Sequence, residues 1–140
     1  AMTTSAAEAS ETMVRTGANA CTDITGFGLL GHAYEMAKAS DVSLLIESEE
    51  VPLLPDVLDL IRQGMLTRGD KNNRIYVGET VTFDSEVSGE MQSALFDPQT
   101  AGGLLISIEE DKAASFLAEV REAKIIGTVA EKGGKLIQVS

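Results

Sequence analysis

Apolar residues fall along this chain in short blocks that switch between helical and extended spacing, separated by glycine, proline and small polar residues. Ser5-Ala6-Ala7-Glu8 has the form of a capping box, and Ala6, Ala9, Met13 and Val14 follow at near-helical spacing, which predicts a first helix ending at Gly17. Its small side chains suit close packing on another element. Ala18 to Thr22 reads as a short buried strand that delivers Asp23 to a strand-to-helix junction. A second helix is expected from Gly26 to Ser40, with Phe27, Leu30, Tyr34 and Ala37 on one face and Leu29, Ala33 and Met36 beside it. Val42 to Ile46 reads as a strand. Pro52 and Pro55 then lead into a helix carrying Leu54, Val57, Leu58 and Ile61 at core spacing, stopped by Gly64.

The segment Met65 to Gly78 has no clear period and reads as an irregular loop, the most basic stretch of the chain through Arg68, Lys71 and Arg74. Such a loop is either solvated surface or an arm reaching toward an anion. Thr80 to Phe83 is expected as a strand and Gly89 to Leu95 as a short helix. Asp97-Pro98-Gln99-Thr100-Ala101-Gly102-Gly103 is a compact run of turn residues leading directly into an apolar strand, Leu104 to Ile108. Asp111 is expected to cap a helix with Ala113, Phe116, Leu117 and Val120 inward. Ile125 to Ala130 and Leu136 to Val139 then read as a closing hairpin around Lys132-Gly133-Gly134. Strands and helices interleave without an internal repeat, which predicts one domain of the α+β or α/β layered class, a mixed sheet with helices.

Composition narrows the partners more than the fold. Eleven Lys and Arg against 22 Asp and Glu give a net charge of −11, which repels nucleic acid and anionic membrane surfaces. No run approaches the roughly 18 apolar residues of a membrane span. The first residues, Ala1-Met2-Thr3-Thr4, lack the basic and apolar regions of a secretory signal, so a cytoplasmic location is expected. Cys21 is the sole cysteine, which rules out an internal disulfide, and its apolar context suggests a small buried hydrophobe. His32, the sole histidine, lies on a helix, where such a residue is more often packed or capping than catalytic.

The chemistry concentrates in Cys21-Thr22-Asp23-Ile24-Thr25-Gly26-Phe27-Gly28-Leu29-Leu30-Gly31-His32. Asp23 offers oxygens to a hard cation such as Mg2+, while Gly26 and Gly28 let backbone approach an anion at a helix entrance. The alternative is plain: an Asp or Thr ahead of a helix is commonly an N-cap, and Gly-x-Gly is common in turns. A polyphosphate bound by so acidic a chain must be neutralised locally by metal or by groups from another segment.

Read together, Thr22 to His32 and Asp97 to Leu105 closely resemble the signatures of the selenophosphate synthetase (selenide, water dikinase) family. Pro52-Leu53-Leu54-Pro55 and Gly69-Asp70-Lys71-Asn72-Asn73 are similar to the middle of that family in the same order. The resemblance implies an α+β fold like the C-terminal domain of the aminoimidazole ribonucleotide synthetase superfamily. It also implies an ATP-dependent enzyme that makes selenophosphate from selenide and water, releasing AMP and phosphate, as a homodimer. On this resemblance Asp23 is a magnesium ligand, Thr25, Gly26 and Gly28 line the nucleotide cleft, and Asn73 matches a polar position of the family's middle loop. Members are about twice this length. The N-terminal half, with its reactive cysteine or selenocysteine, a lysine, a glycine-rich segment and further aspartates, has no match here, and Cys21 does not stand in for that nucleophile. Residues 1–140 are thus expected to form the C-terminal domain of a two-domain enzyme, with its own N-terminal domain as partner, no catalytic residue of its own, and no activity alone. Ala101 departs from the family's usual Ser.

Overall fold

The computed structural model describes the backbone of residues 2–140 and side chains from residue 7 onward. Among the described residues six α-helices and six strands interleave: α1 (Met2–Thr16), β1 (Ala20–Asp23), α2 (Gly28–Ser40), β2 (Val42–Ile46), α3 (Val57–Arg62), α4 (Arg68–Val77), β3 (Val81–Phe83), α5 (Gly89–Phe96), β4 (Leu104–Ser107), α6 (Glu110–Glu119), β5 (Gly127–Glu131) and β6 (Ile137–Val139). The expected α+β layering is present. None of the described helices is long and apolar enough to cross a membrane.

The strands form two sheets. β1 and β4 make an antiparallel pair in the register Ala20↔Ser107 to Asp23↔Leu104. The other sheet has the order β3-β6-β2-β5, with β2 parallel to β6 and antiparallel to β5. The main core lies between this sheet and the helices. Leu30, Ala33 and Ala37 of α2 meet Leu44, Ile46, Ile137 and Val139 of the strands and Leu95 and Phe96 of α5. A smaller core joins Ala9 of α1 and Phe116 of α6, with Val120 just beyond it, to Leu104 and Ile106 of β4.

Several expectations are corrected. β5 and β6 are not a hairpin, because β2 inserts between them and pairs with both. The return is held at Ser43, whose hydroxyl donates to the Lys135 carbonyl (2.7 Å) and accepts from the Gly133 N–H (2.9 Å). Gly127 is required where β5 meets β2, since a Cβ there would sit 2.0 Å from the Leu45 carbonyl oxygen. The segment from 68 to 77 is a helix, not an irregular loop. α3 buries none of its residues, and Leu54, expected at core spacing, is 74% exposed. α1 begins before the expected cap, and the side chain of Ser5 lies outside the described residues. α6 starts at Glu110 with Glu109 as its N-cap, so Asp111 falls inside the first turn. Cys21 is exposed rather than buried.

Candidate functional site

The two glycine-bearing motifs, far apart in sequence, are stitched together at one end of the β1/β4 pair. Beyond Asp23 the ladder continues as the Ile24 N–H donates to the Gly103 carbonyl (2.9 Å) and the Gly102 N–H to the Ile24 carbonyl (3.0 Å). The Thr25 carbonyl then accepts from both the Gly28 N–H (3.0 Å) and the Gln99 N–H (2.9 Å). Gly102 cannot carry a side chain in this arrangement, as a Cβ would lie 2.6 Å from the Ile24 oxygen.

Gly28 is fixed for a different reason. It sits at φ +67°, and a Cβ would approach the Phe96 carbonyl carbon and oxygen to 2.8 Å. Its lack of a side chain lets α2 start against the end of α5. Gly26 meets no such crowding, for a Cβ there finds open space within 4 Å. At the entrance of α2 the N-cap is Phe27, whose side chain makes no capping hydrogen bond, so no side chain occupies the first-turn N–H groups from the cap position.

The third motif, expected as a loop, docks onto both others as α4. Gly69 packs on Pro98 so closely that a Cβ would come within 2.0 Å of the proline ring. Thr67 donates to Asp97 Oδ1 (3.0 Å). Asn73 is buried, and its amide nitrogen donates to the Gly26 carbonyl (3.1 Å) and to the Phe96 carbonyl (2.9 Å). A neighbouring network locks the helix in place: Arg74 pairs with Asp70 (2.9 Å), donates to Ser93 (3.2 Å), and lies 4.8 Å from the centre of the Phe96 ring.

The sequence-derived site residues therefore separate by role. Asp23 is exposed at the last position of β1, adjoining the glycine turn. Thr25 is half-buried and shares a 3.0 Å hydrogen bond with His32 Nε2, which ties the turn to the second turn of α2. Asn73 spends its donors on the Gly26 carbonyl of the turn and on the Phe96 carbonyl at the end of α5. Among the described residues no group of three or more His, Cys, Asp or Glu side chains gathers to hold a metal.

Sequence reasoning missed three contributors. His32 was legible only as a lone helix histidine, and Gly69 and Pro98 were legible as turn residues without their mutual contact. An exposed aromatic group also flanks the turn. Phe27 stacks on Tyr76 at 4.9 Å between centroids and 14° between planes, and Tyr76 meets Tyr34 edge-on. The Tyr76 hydroxyl donates to Glu35, which holds its pKa above the ordinary value. Cys21, two residues before Asp23, has its thiol pushed up by desolvation and then by the Asp23 charge.

The family described as AIR synthase related protein, C-terminal domain, matches residues 2–140. Similar proteins named selenide, water dikinase include one from Clostridioides difficile, 45% identical over 126 residues that cover 86% of this chain and 36% of that protein. One from Treponema denticola is 41% identical over 143 residues, covering 96% and 40%. One from Caldanaerobacter subterraneus is 44% identical over 130 residues, covering 89% and 38%. The chain spans about two fifths of the length of these relatives.

Proposed function

We propose, from the premise that this chain belongs to the AIR synthase related C-terminal domain family, that it is the C-terminal part of a cytoplasmic, ATP-dependent selenophosphate synthetase, lining one wall of the nucleotide site. The relatives named selenide, water dikinase support the reaction, and the convergence of three separate motifs on one glycine turn supports the location. The single observation that carries the reading is the exposed Asp23 carboxylate beside an uncapped helix entrance.

In this reading Asp23 contributes a hard oxygen ligand and a fixed negative charge, not a proton, since phosphoryl transfer depends chiefly on positioning and charge neutralisation. Magnesium, when bound, supplies the positive charge that lets polyphosphate sit against so acidic a domain. Gly26 leaves open space where backbone meets an anion, and the first turn of α2 offers N–H groups to it. Gly28 sets the start of that helix, and Thr25 fixes the turn through His32. Asn73 serves the cleft by holding the Gly26 carbonyl rather than by touching nucleotide. With one carboxylate here, the remaining metal ligands and the selenium chemistry belong to the longer protein, and the isolated chain is expected to be inactive.

The test is a chimaera in which this chain replaces the matched part of the Treponema denticola relative. It should form selenophosphate with ATP, and Asp23→Ala should abolish turnover while leaving the thermal transition in place. Unchanged turnover in that variant would remove Asp23 from the site.

A further inference from the structure

The register of the small sheet exposes an incomplete surface. Cys21 lies opposite Ile106 and Asp23 opposite Leu104, so these four side chains share one face of the β1/β4 pair. On that face Leu104 and Ile106 pack against Ala9, Phe116 and Val120, whereas Cys21 and Asp23 are exposed. Among the described side chains, α1 and α6 thus cover β4 and leave the Cys21 and Asp23 face of β1 bare. Beside the bare strand runs a groove of about 190 Å³ lined by Met13, Val14, Gly17, Ala18, Ala20 and Cys21. Val14, at 75%, is the most exposed large apolar residue among those described. β1 has a strand partner on one side alone, and a two-stranded ribbon is marginal without further cover.

We propose that this groove and the bare face of β1 form the docking surface for the portion of the enzyme that precedes this domain in its relatives. The inference rests on reading the chain as part of a longer enzyme, but not on any role for Asp23 in catalysis. Two observations select that occupant. The matched relatives devote the larger share of their length to sequence outside this match, and the matching family is described as a C-terminal domain, which places that share ahead of it. A second copy of this chain is disfavoured by charge, because each copy carries a net charge of −11 and the contact would set the exposed Asp23 against another acidic chain. Small residues at Gly17, Ala18 and Ala20 permit close backbone approach, and Val14 gives the incoming segment an apolar anchor.

Cys21 is a built-in reporter, being the single cysteine of the chain and part of the groove. Its alkylation by iodoacetamide is followed by mass spectrometry of the Cys21 peptide, in the 140-residue chain and in the Treponema denticola chimaera, without nucleotide or selenide. Docking is expected to slow the reaction about tenfold or more in the chimaera, and Val14→Arg there should restore the rate of the lone chain. Equal rates in chain and chimaera overturn the proposal. Protection that grows with concentration in the lone chain also overturns it, in favour of a second copy. Should the chimaera not fold, hydrogen exchange in the intact Treponema denticola protein decides: the peptide aligned with residues 18–23 must be slower than in this chain, and equal exchange refutes the docking surface. Loss of the proposed Asp23 function would appear in turnover and leave Cys21 protection unchanged, so the two ideas fail separately.

Discussion

Replacing Asn73 by Ala removes the two hydrogen bonds that tie α4 to the glycine turn and to the end of α5. The Phe96 carbonyl belongs to the last turn of α5, where no intrahelical donor remains, and the Gly26 carbonyl lies in the turn itself. Each buried group left without its partner costs about 1–3 kcal/mol, and the site is 4% exposed, so water replaces the amide poorly. The expected loss is about 3 kcal/mol, which with a urea slope of about 2 kcal/mol/M moves the unfolding midpoint by about 1.5 M. Hydrogen exchange should quicken at residues 24–28 and 97–103 more than in β5 and β6, because the clamp acts locally. A cost below about 0.5 kcal/mol, or uniform exchange, would refute the view of Asn73 as the clamp of the turn.

Gly28→Ala should be more damaging still, at about 3 kcal/mol or more by urea unfolding, since it combines φ +67° with contact at 2.8 Å on backbone atoms. Gly26→Ala meets open space, so thermal unfolding should shift by less than about 1 kcal/mol in the chain while the chimaera's ATP affinity falls. The thiol pKa of Cys21 is raised in part by Asp23, so its thiolate forms only at higher pH than in an ordinary cysteine. Asp23→Asn should therefore speed alkylation of the lone chain at pH 8, desolvation keeping the rest of the shift, and an unchanged pH profile would separate the two side chains. The lone chain should bind magnesium–ATP no better than about millimolar, because one carboxylate competes poorly with hydration, and submillimolar binding by calorimetry would contradict the shared-site reading.

The sequence made α2 and β2 legible because their patterns are strong and local: Val42 to Ile46 is a strand with the expected bounds, and Leu30, Ala33 and Ala37 are buried as their spacing requires. The two glycine motifs were legible as chemistry, and the structure brings them into contact. What escaped was held by distant partners. α4 is poor in apolar residues and contains glycine and asparagine, so no local signal favours a helix; Pro98, Ser93, Gly26 and Phe96 fix it from outside. The β5/β6 hairpin looked plausible because turn residues lie between them, yet β2 competes successfully for both edges. Cys21 looked buried by its neighbours in sequence, but exposure depends on what lies over β1, which no local pattern encodes.

Whether Asp23 draws a divalent cation and its nucleotide to the glycine turn is read most directly by titrating the 15N-labelled chain with manganese–ATP and following amide line widths, which works for weak binding. Signals of Asp23 to Gly28 should broaden first, those of β5 and β6 should stay sharp, and Asp23→Ala should remove the effect. Broadening centred elsewhere, or unchanged in that variant, would mean that Asp23 does not hold the cation.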